Sequence, residues 1–175
     1  MGARGAKFGS DGEMNEDELG ITHYLKGNFA FFLPDCWTDV GEEEEESFVE
    51  KFDCEGVGRL LVECRPVLTE EDGEDPAAVL RSRERGPNEA AGPIVHLASG
   101  LAMQSYSHGD ADVAAFRWSH CELVGCFEPG LFGSMRFSIC STPERLRDSF
   151  VAAQVHFVRV CARRSELVDD DALED

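Results

Sequence analysis

The sequence predicts an α+β protein, an antiparallel β-sheet of about six strands flanked by helices, one of them a long C-terminal helix. Three observations carry this expectation. Large apolar residues recur at period two in several separate runs, which places one face of each extended segment against a core. Short turn signals join most of those runs, as in an antiparallel meander. Two helix starts stand out, Asp75-Pro76 and Ser141-Thr142-Pro143-Glu144.

The organising stretch is residues 27–65. Phe29, Phe31 and Leu33 share one face of a first strand, Phe32 breaks the alternation near its end, and Pro34 stops the ladder because it has no N–H to donate. Trp37 follows as a plug on one end of the core, its burial contributing on the order of 2 to 3 kcal/mol. The glutamates Glu42, Glu43, Glu44, Glu45 and Glu46 cannot enter a core unpaired and are expected in a solvated loop. Phe48, Val49 and Phe52 mark a second strand. After the turn Glu55-Gly56-Val57-Gly58, a third strand alternates Leu60, Val62 and Cys64 against Arg59, Leu61, Glu63 and Arg65. Those polar residues predict a sheet covered on one side only, with the three strands forming a meander.

The remaining elements follow in order. Residues 1–20 read as a disordered leader, and 21–25 as a short approach segment packing Tyr24. Pro66 should end the third strand, and 69–74 form an acidic loop. Asp75 caps a helix over about residues 76–85 that turns Ala77 and Leu80 inward, with Arg81, Arg83 and Arg85 outside or at its C-terminal end. Residues 86–93 read as a linker. A long strand over 94–106 is kinked at Ser99-Gly100, and 108–110 form a turn. Residues 113–124 place Phe116 and Trp118 on one face and Ala115 and Arg117 on the other. A hairpin turn at Glu128-Pro129-Gly130 leads to 132–140, where Met135, Phe137 and Ile139 alternate with Ser134, Arg136 and Ser138. Ser141 and Glu144 have capping-box spacing, and a helix of about five turns follows on Leu146, Phe150, Ala153, Phe157 and Cys161, flanked by Val151, Val155 and Val158. Arg163 and Arg164 close it. The expected organisation is a leader (1–20), a single α+β domain (21–164) and an acidic tail (165–175).

The carriers of a resemblance are Phe29, Phe31, Leu33, Pro34 and Trp37 in the first strand and corner, then Gly56, Gly58, Leu60 and Val62 around the second turn. Phe116, Trp118 and Phe137 in later strands, with Pro143 and Glu144 at the last helix start, complete them. Over about residues 24–163 this order resembles the superfamily that includes the PsbP proteins of photosystem II, the Ran-binding Mog proteins and DcrB-like bacterial proteins. The resemblance implies an antiparallel sheet flanked by helices and a role as a non-enzymatic binding or accessory protein. It carries over no catalytic residues.

Composition narrows the function classes. Lys plus Arg number 16 and Asp plus Glu 35, giving a formal charge of -19. Such a field repels nucleic acid and anionic lipid and favours basic partners or solubility. The start of the chain lacks the apolar run of a secretory signal, and Ala6 stands where a myristoylation pattern wants Ser or Thr. No long uncharged apolar run predicts membrane insertion. Seven cysteines at irregular spacing read as reduced thiols in a cytoplasm.

Candidate chemistry is sparse. His108, His120, Cys121 and Cys126 offer zinc-type ligands, but the spacing is not that of a structural site, and neighbours on a strand point to opposite faces. Cys140 near a helix start is about four turns from His156, too far for a nucleophile and its base. The glutamate run lacks the pattern of a calcium loop. Arg117 beside Trp118 is a candidate clamp for an anionic group. The sequence therefore points to no catalytic, cofactor or metal residues, with Glu42–Glu46, Arg117 and Trp118 as candidate partner-binding residues. The expected function is a non-enzymatic protein-binding or accessory module, soluble and acidic, whose partner is another protein, a basic one being favoured by the charge. The alternatives are an immunity protein masking a basic toxin and a small cysteine-dependent hydrolase.

Overall fold

The structure, a computed structural model, describes residues 20–41, 48–69 and 73–168. The expected leader up to residue 19, the glutamates 42–46 and the tail from 169 lie outside the described residues. The elements are β1 (Ile21–Lys26), β2 (Phe29–Pro34), β3 (Thr38–Asp39), β4 (Val49–Cys54), β5 (Gly58–Leu68), α1 (Pro76–Ser82), β6 (Ala90–His96), β7 (Ala102–Gly109), β8 (Arg117–Glu128), β9 (Leu131–Ser141), α2 (Pro143–Leu146), α3 (Ser149–Ala162) and β10 (Glu166–Leu167). The α+β class and the antiparallel pairing are as expected, but the strands form two sheets rather than one of about six. A seven-stranded sheet runs β3-β4-β5-β9-β8-β7-β6, and a three-stranded sheet runs β1-β2-β10.

The main core lies between the inner face of the large sheet, strand β2 and helix α3. Leu60 and Val62 of β5, Cys121 and Leu123 of β8, and Met135, Phe137 and Ile139 of β9 point into it. From the opposite side come Phe29, Phe31 and Leu33, and from α3 Val151, Val155 and Val158. Phe31 meets Phe137 edge to face at 5.6 Å between ring centroids, and Tyr24 meets Phe52 at 4.9 Å. Trp37 is 1% exposed, as its place after β2 predicts.

Strand β2 therefore does not join β4 and β5 in a meander. Its apolar face packs onto the large sheet, while its edges pair with β1 and with β10. Period-two alternation fixes which face is buried, not which strand pairs with it. The seat for the small sheet is a cross-strand pair of glycines, Gly125 opposite Gly133. A Cβ on Gly125 would lie 2.3 Å from Leu167 Cδ1, and one on Gly133 would lie 2.9 Å from Phe29 Cε2. Only glycine lets these side chains settle on β8 and β9.

Other expectations are corrected by local chemistry. Pro66 does not end its strand, since β5 continues to Leu68. The Cys64 N–H donates to Phe48 O on the β4 side, and two residues on Pro66 faces that same edge beyond the start of β4, so no ladder donor is missed. The stretch 94–106 is a hairpin, not a kinked strand, because Gly100 at φ +86° closes a turn between β6 and β7. Strand β6 begins at Ala90, inside the expected linker, and β8 begins at Arg117 rather than 113.

Helix α1 stops at Ser82, capped by Asp75, whose carboxyl accepts the Ala77 N–H at 3.0 Å. It covers the outer face of the large sheet, with Ala77 and Leu80 against Ala102, Val124 and Phe132. The sheet is thus covered on both sides there. The expected five-turn helix is broken. Thr142, not Ser141, caps α2, and Asp148 restarts the chain as α3 by accepting the N–H groups of Phe150 and Val151. The restart turns the stripe by one position, so Val151, Val155, Val158 and Ala162 are buried while Phe150 is 50% exposed. Ser165 is fully buried and Glu166–Leu167 pair with β2, so ordered structure continues into the stretch expected as a tail.

Candidate functional site

An apolar cleft forms where β4 falls short of β5. Strand β4 begins at Val49, opposite Glu63, and beyond the Cys64 N–H bond to Phe48 O the last four residues of β5 pair on that side with no strand among the described residues. The β1–β2 turn, Lys26 to Phe29, makes one wall, Cys64 to Pro66 another, and Gly133 lies between them. Phe48 and Phe127 complete a cavity of about 650 Å³. That volume is within the range of ordinary ligand and side-chain pockets, roughly 300 to 1,000 Å³. Phe48 is 62% exposed and Phe127 40%, so two large aromatic side chains stand at its rim in contact with water. Lys26 is tied to Glu50 at 2.5 Å, which fixes the turn wall. Burial pushes the Cys64 thiol up to about 12, so it presents a neutral, slightly apolar surface to the cleft.

The outer face of the large sheet holds a second cavity of about 650 Å³ at the end of α1, with polar walls. Arg83 stands at the C-terminal end of α1, one of the two expected places, and turns inward. Its guanidinium lies 3.5 Å above the Tyr106 ring and donates to both Glu89 oxygens at 2.9 and 2.7 Å. Glu89 sits in the expected linker, six residues on, and also accepts the Gly86 N–H. The Arg83 hydrogen bonds hold its carboxyl down to about 2. Next to it, Glu122 accepts from the Tyr106 hydroxyl at 2.8 Å and from Ser134 at 2.9 Å. Arg136 pairs with Glu63 across β9 and β5.

The same face carries a chain of imidazoles. His108 Nδ1 is 2.7 Å from Gly109 O, which can only accept, so that nitrogen carries the hydrogen. With neutral rings His108 Nε2 then accepts from His120 Nε2, 2.9 Å away, and His120 Nδ1 accepts from the Ser138 hydroxyl at 2.8 Å. Burial, with help from Arg136 and His108, pushes His120 down to about 3. His120 and Glu89 each give stability an acid limb. An imidazole depressed in the fold stays neutral while its unfolded counterpart takes a proton below about pH 6.5, so stability falls from there toward 3. Glu89 adds a second loss between about pH 4.5 and 2, where only the unfolded carboxyl is protonated. Urea unfolding at about pH 4.5 should show roughly 2 kcal/mol less stability from His120 than at pH 7. A His120→Gln variant should lose that slope; an equal slope in the variant would contradict the assignment.

Arg117 and Trp118 do not act together. Adjacent on β8, they leave opposite faces. Arg117 reaches Asn88 O and Ser107 Oγ, each at 3.4 Å, whereas Trp118 Nε1 donates to Asp110 at 2.8 Å and its ring stacks 8° from parallel with His120. The Trp118 bond and two backbone N–H groups hold the Asp110 carboxyl below the usual carboxylate range. His120 and Cys121 likewise face opposite sides, and among the described residues no group of three or more His, Cys, Asp and Glu is placed to hold a metal ion. All seven cysteines are free. Cys36 donates to Gln154 at 3.2 Å, and burial pushes Cys121 and Cys161 each up to about 11. The aromatic rim of the cleft and the inward Arg83 were not singled out from sequence. The signal for Arg83 was its spacing to Glu89; the signal for the cleft, unequal strand lengths, is not local.

Among the described residues no helix is long and apolar enough to cross a membrane. No protein-family profile matches the chain, and no curated protein does. Among solved structures, LpqN of Mycobacterium tuberculosis, described as involved in cell envelope biogenesis, is similar over 85% of this chain and 91% of its own, at 12% identity and a TM-score of 0.51. That likeness is one of fold.

Proposed function

We propose that the chain is a non-enzymatic protein-binding module with the architecture of the PsbP, Mog and DcrB-like group, working in the cytoplasm. The observation that carries the reading is the cleft with Phe48 and Phe127 exposed at its rim. Two water-exposed aromatic side chains beside a preformed cavity are suited to anchor an apolar side chain of a partner, the arrangement from which interface hot spots are built. The partner's flanking residues are basic, since the chain carries a net charge of -19 and its glutamate run ends two residues before Phe48 in sequence. The seven free thiols fit a reducing compartment. The likeness to LpqN concerns fold and leaves the partner to be found by chemistry.

The immunity-protein alternative uses the same surface with a toxin as partner, and the acidic charge favours it. The hydrolase alternative draws no support from buried thiols held in the neutral form. The test is affinity capture from the native host at low and moderate salt, with the wild type and a Phe48→Asp variant. Phe48 is exposed, so the variant should keep its thermal midpoint within about 0.5 kcal/mol of stability. The expected result is one stoichiometric partner that salt weakens and Phe48→Asp removes. Capture unaffected by the substitution would overturn the cleft as the binding surface.

A further inference from the structure

The polar cavity on the outer face has a composition at odds with the rest of the molecule. In a chain with 16 basic and 35 acidic residues, Arg65, Arg83, Arg85 and Arg136 all line it. We infer that this cavity is a binding site for a small organic oxyanion, a carboxylate or phosphate head group on a short apolar body.

Donors in the cavity exceed the acceptors available to them. Glu89 takes both terminal nitrogens of Arg83, and the Arg83 Nε–H is buried with no partner, 3.8 Å from the nearest Glu122 oxygen. Arg136 gives one terminal nitrogen to Glu63, and its Nε–H is also buried without a partner. Arg85 makes no ion pair among the described residues, and Arg65 reaches Glu63 only at 3.6 Å. Two buried guanidinium N–H groups and two weakly engaged guanidinium groups thus remain to be satisfied at one place. A buried donor left without an acceptor is costly, more so on a charged group.

Among the described residues the acids that hold these arginines leave both Nε–H groups bare, and Glu84, which also lines the cavity, forms no ion pair with them. Glu122 is turned toward Tyr106 with one oxygen and Ser134 with the other, which leaves it 3.8 Å from the Arg83 Nε, beyond hydrogen-bond reach. Glu89 and Glu63 fix Arg83 and Arg136, and the Tyr106 ring supports the Arg83 guanidinium from below. The result is a preorganised set of cationic donors whose orientation is set before any ligand arrives, the condition for charge-assisted recognition of carboxylate or phosphate. Four guanidinium groups exclude a metal cation from the same space. Pro66, Val67 and Val79 form the apolar part of the wall and suit a short hydrocarbon body. The site lies on the opposite side of β5 from the Phe48 cleft, with Arg65 and Pro66 bordering both, and it stands independently of the protein-binding reading.

Arginine Nε–H resonances in ¹⁵N–¹H spectra give the direct test, with inorganic phosphate and with succinate as probes and sodium chloride of equal ionic strength as the control. The Nε–H signals of Arg83 and Arg136 should shift saturably with at least one probe and not with chloride, while the exposed Arg59 stays still. Saturation by phosphate alone assigns a phosphate head group, and by succinate alone a carboxylate. Arg85→Glu, a change at an exposed residue, should weaken the binding about tenfold and leave the thermal midpoint and partner capture unchanged. No saturable shift with either probe, or equal shifts at Arg59 and with chloride, would overturn the inference.

Discussion

Trp37→Ala should destabilise the protein by about 3 to 5 kcal/mol, the range for truncating a fully buried aromatic side chain where the surroundings close only in part. Trp37 is 1% exposed in the core where Phe31, Leu33, Phe52 and α3 meet, so there is little loose structure to fill the space. In a domain of this size the thermal midpoint should fall by roughly 10 °C. Trp37→Phe should cost much less, because most of the ring is retained and the buried indole N–H has no partner to lose. Differential scanning calorimetry of the two variants checks both expectations, and an unchanged midpoint in Trp37→Ala would contradict the placement of this residue in the core.

Arg83→Met should be comparably damaging for an electrostatic reason. The substitution keeps much of the side-chain volume over Tyr106 but strands the carboxyl group of Glu89, whose side chain is 2% exposed and which keeps only the Gly86 N–H. Removing one member of a buried ion pair costs about 3 to 5 kcal/mol, because the remaining charge is left uncompensated. The discriminating result is the double variant. Adding Glu89→Gln to Arg83→Met should recover part of the loss, and the coupling measured by denaturant unfolding should be on the order of 1 to 3 kcal/mol. Strict additivity would show that Arg83 acts through packing alone.

What could be read in advance was local. The alternation of Met135, Phe137 and Ile139, the Pro129-Gly130 turn, the Asp75 cap and the burial of Trp37 all depend on neighbours in sequence, and the structure places them as expected. Strand partners did not follow in the same way, because β2 obeys the same period-two pattern whether it pairs with β4 or packs above it. Gly125 and Gly133, which seat the small sheet, look in sequence like interruptions of two strands. Their meaning appears only when Leu167 and Phe29 arrive from distant elements. The apolar spacing runs through Asp148 in sequence, yet its carboxyl caps a new helix there. Arg83 stands at the C-terminal end of α1 as its position implies, but its inward turn depends on Glu89, which lies in a segment that reads as linker.

The candidate site shows the same limit more sharply. Phe48 and Phe127 carry the residue type of a core, and sequence alone assigns such side chains inward. Phe48 is exposed where β4 starts short of the end of β5, and Phe127 stands at the register shift between Cys126 and Glu128 in β8, both properties of strands compared. Adjacency in sequence links Arg117 with Trp118, but on a strand it separates side chains rather than joining them.

The claim that the cleft is the partner-binding surface is tested most directly by photo-crosslinking in the native host, with p-benzoylphenylalanine in place of Phe127 and, as a control, in place of Phe150. Phe150 is 50% exposed on α3, away from the cleft, so reactivity and accessibility are matched. The account predicts one dominant protein adduct at position 127 that disappears when Phe48→Asp is added, and no such adduct at position 150. Equal adducts at both positions, or an adduct at 127 that survives Phe48→Asp, would contradict it.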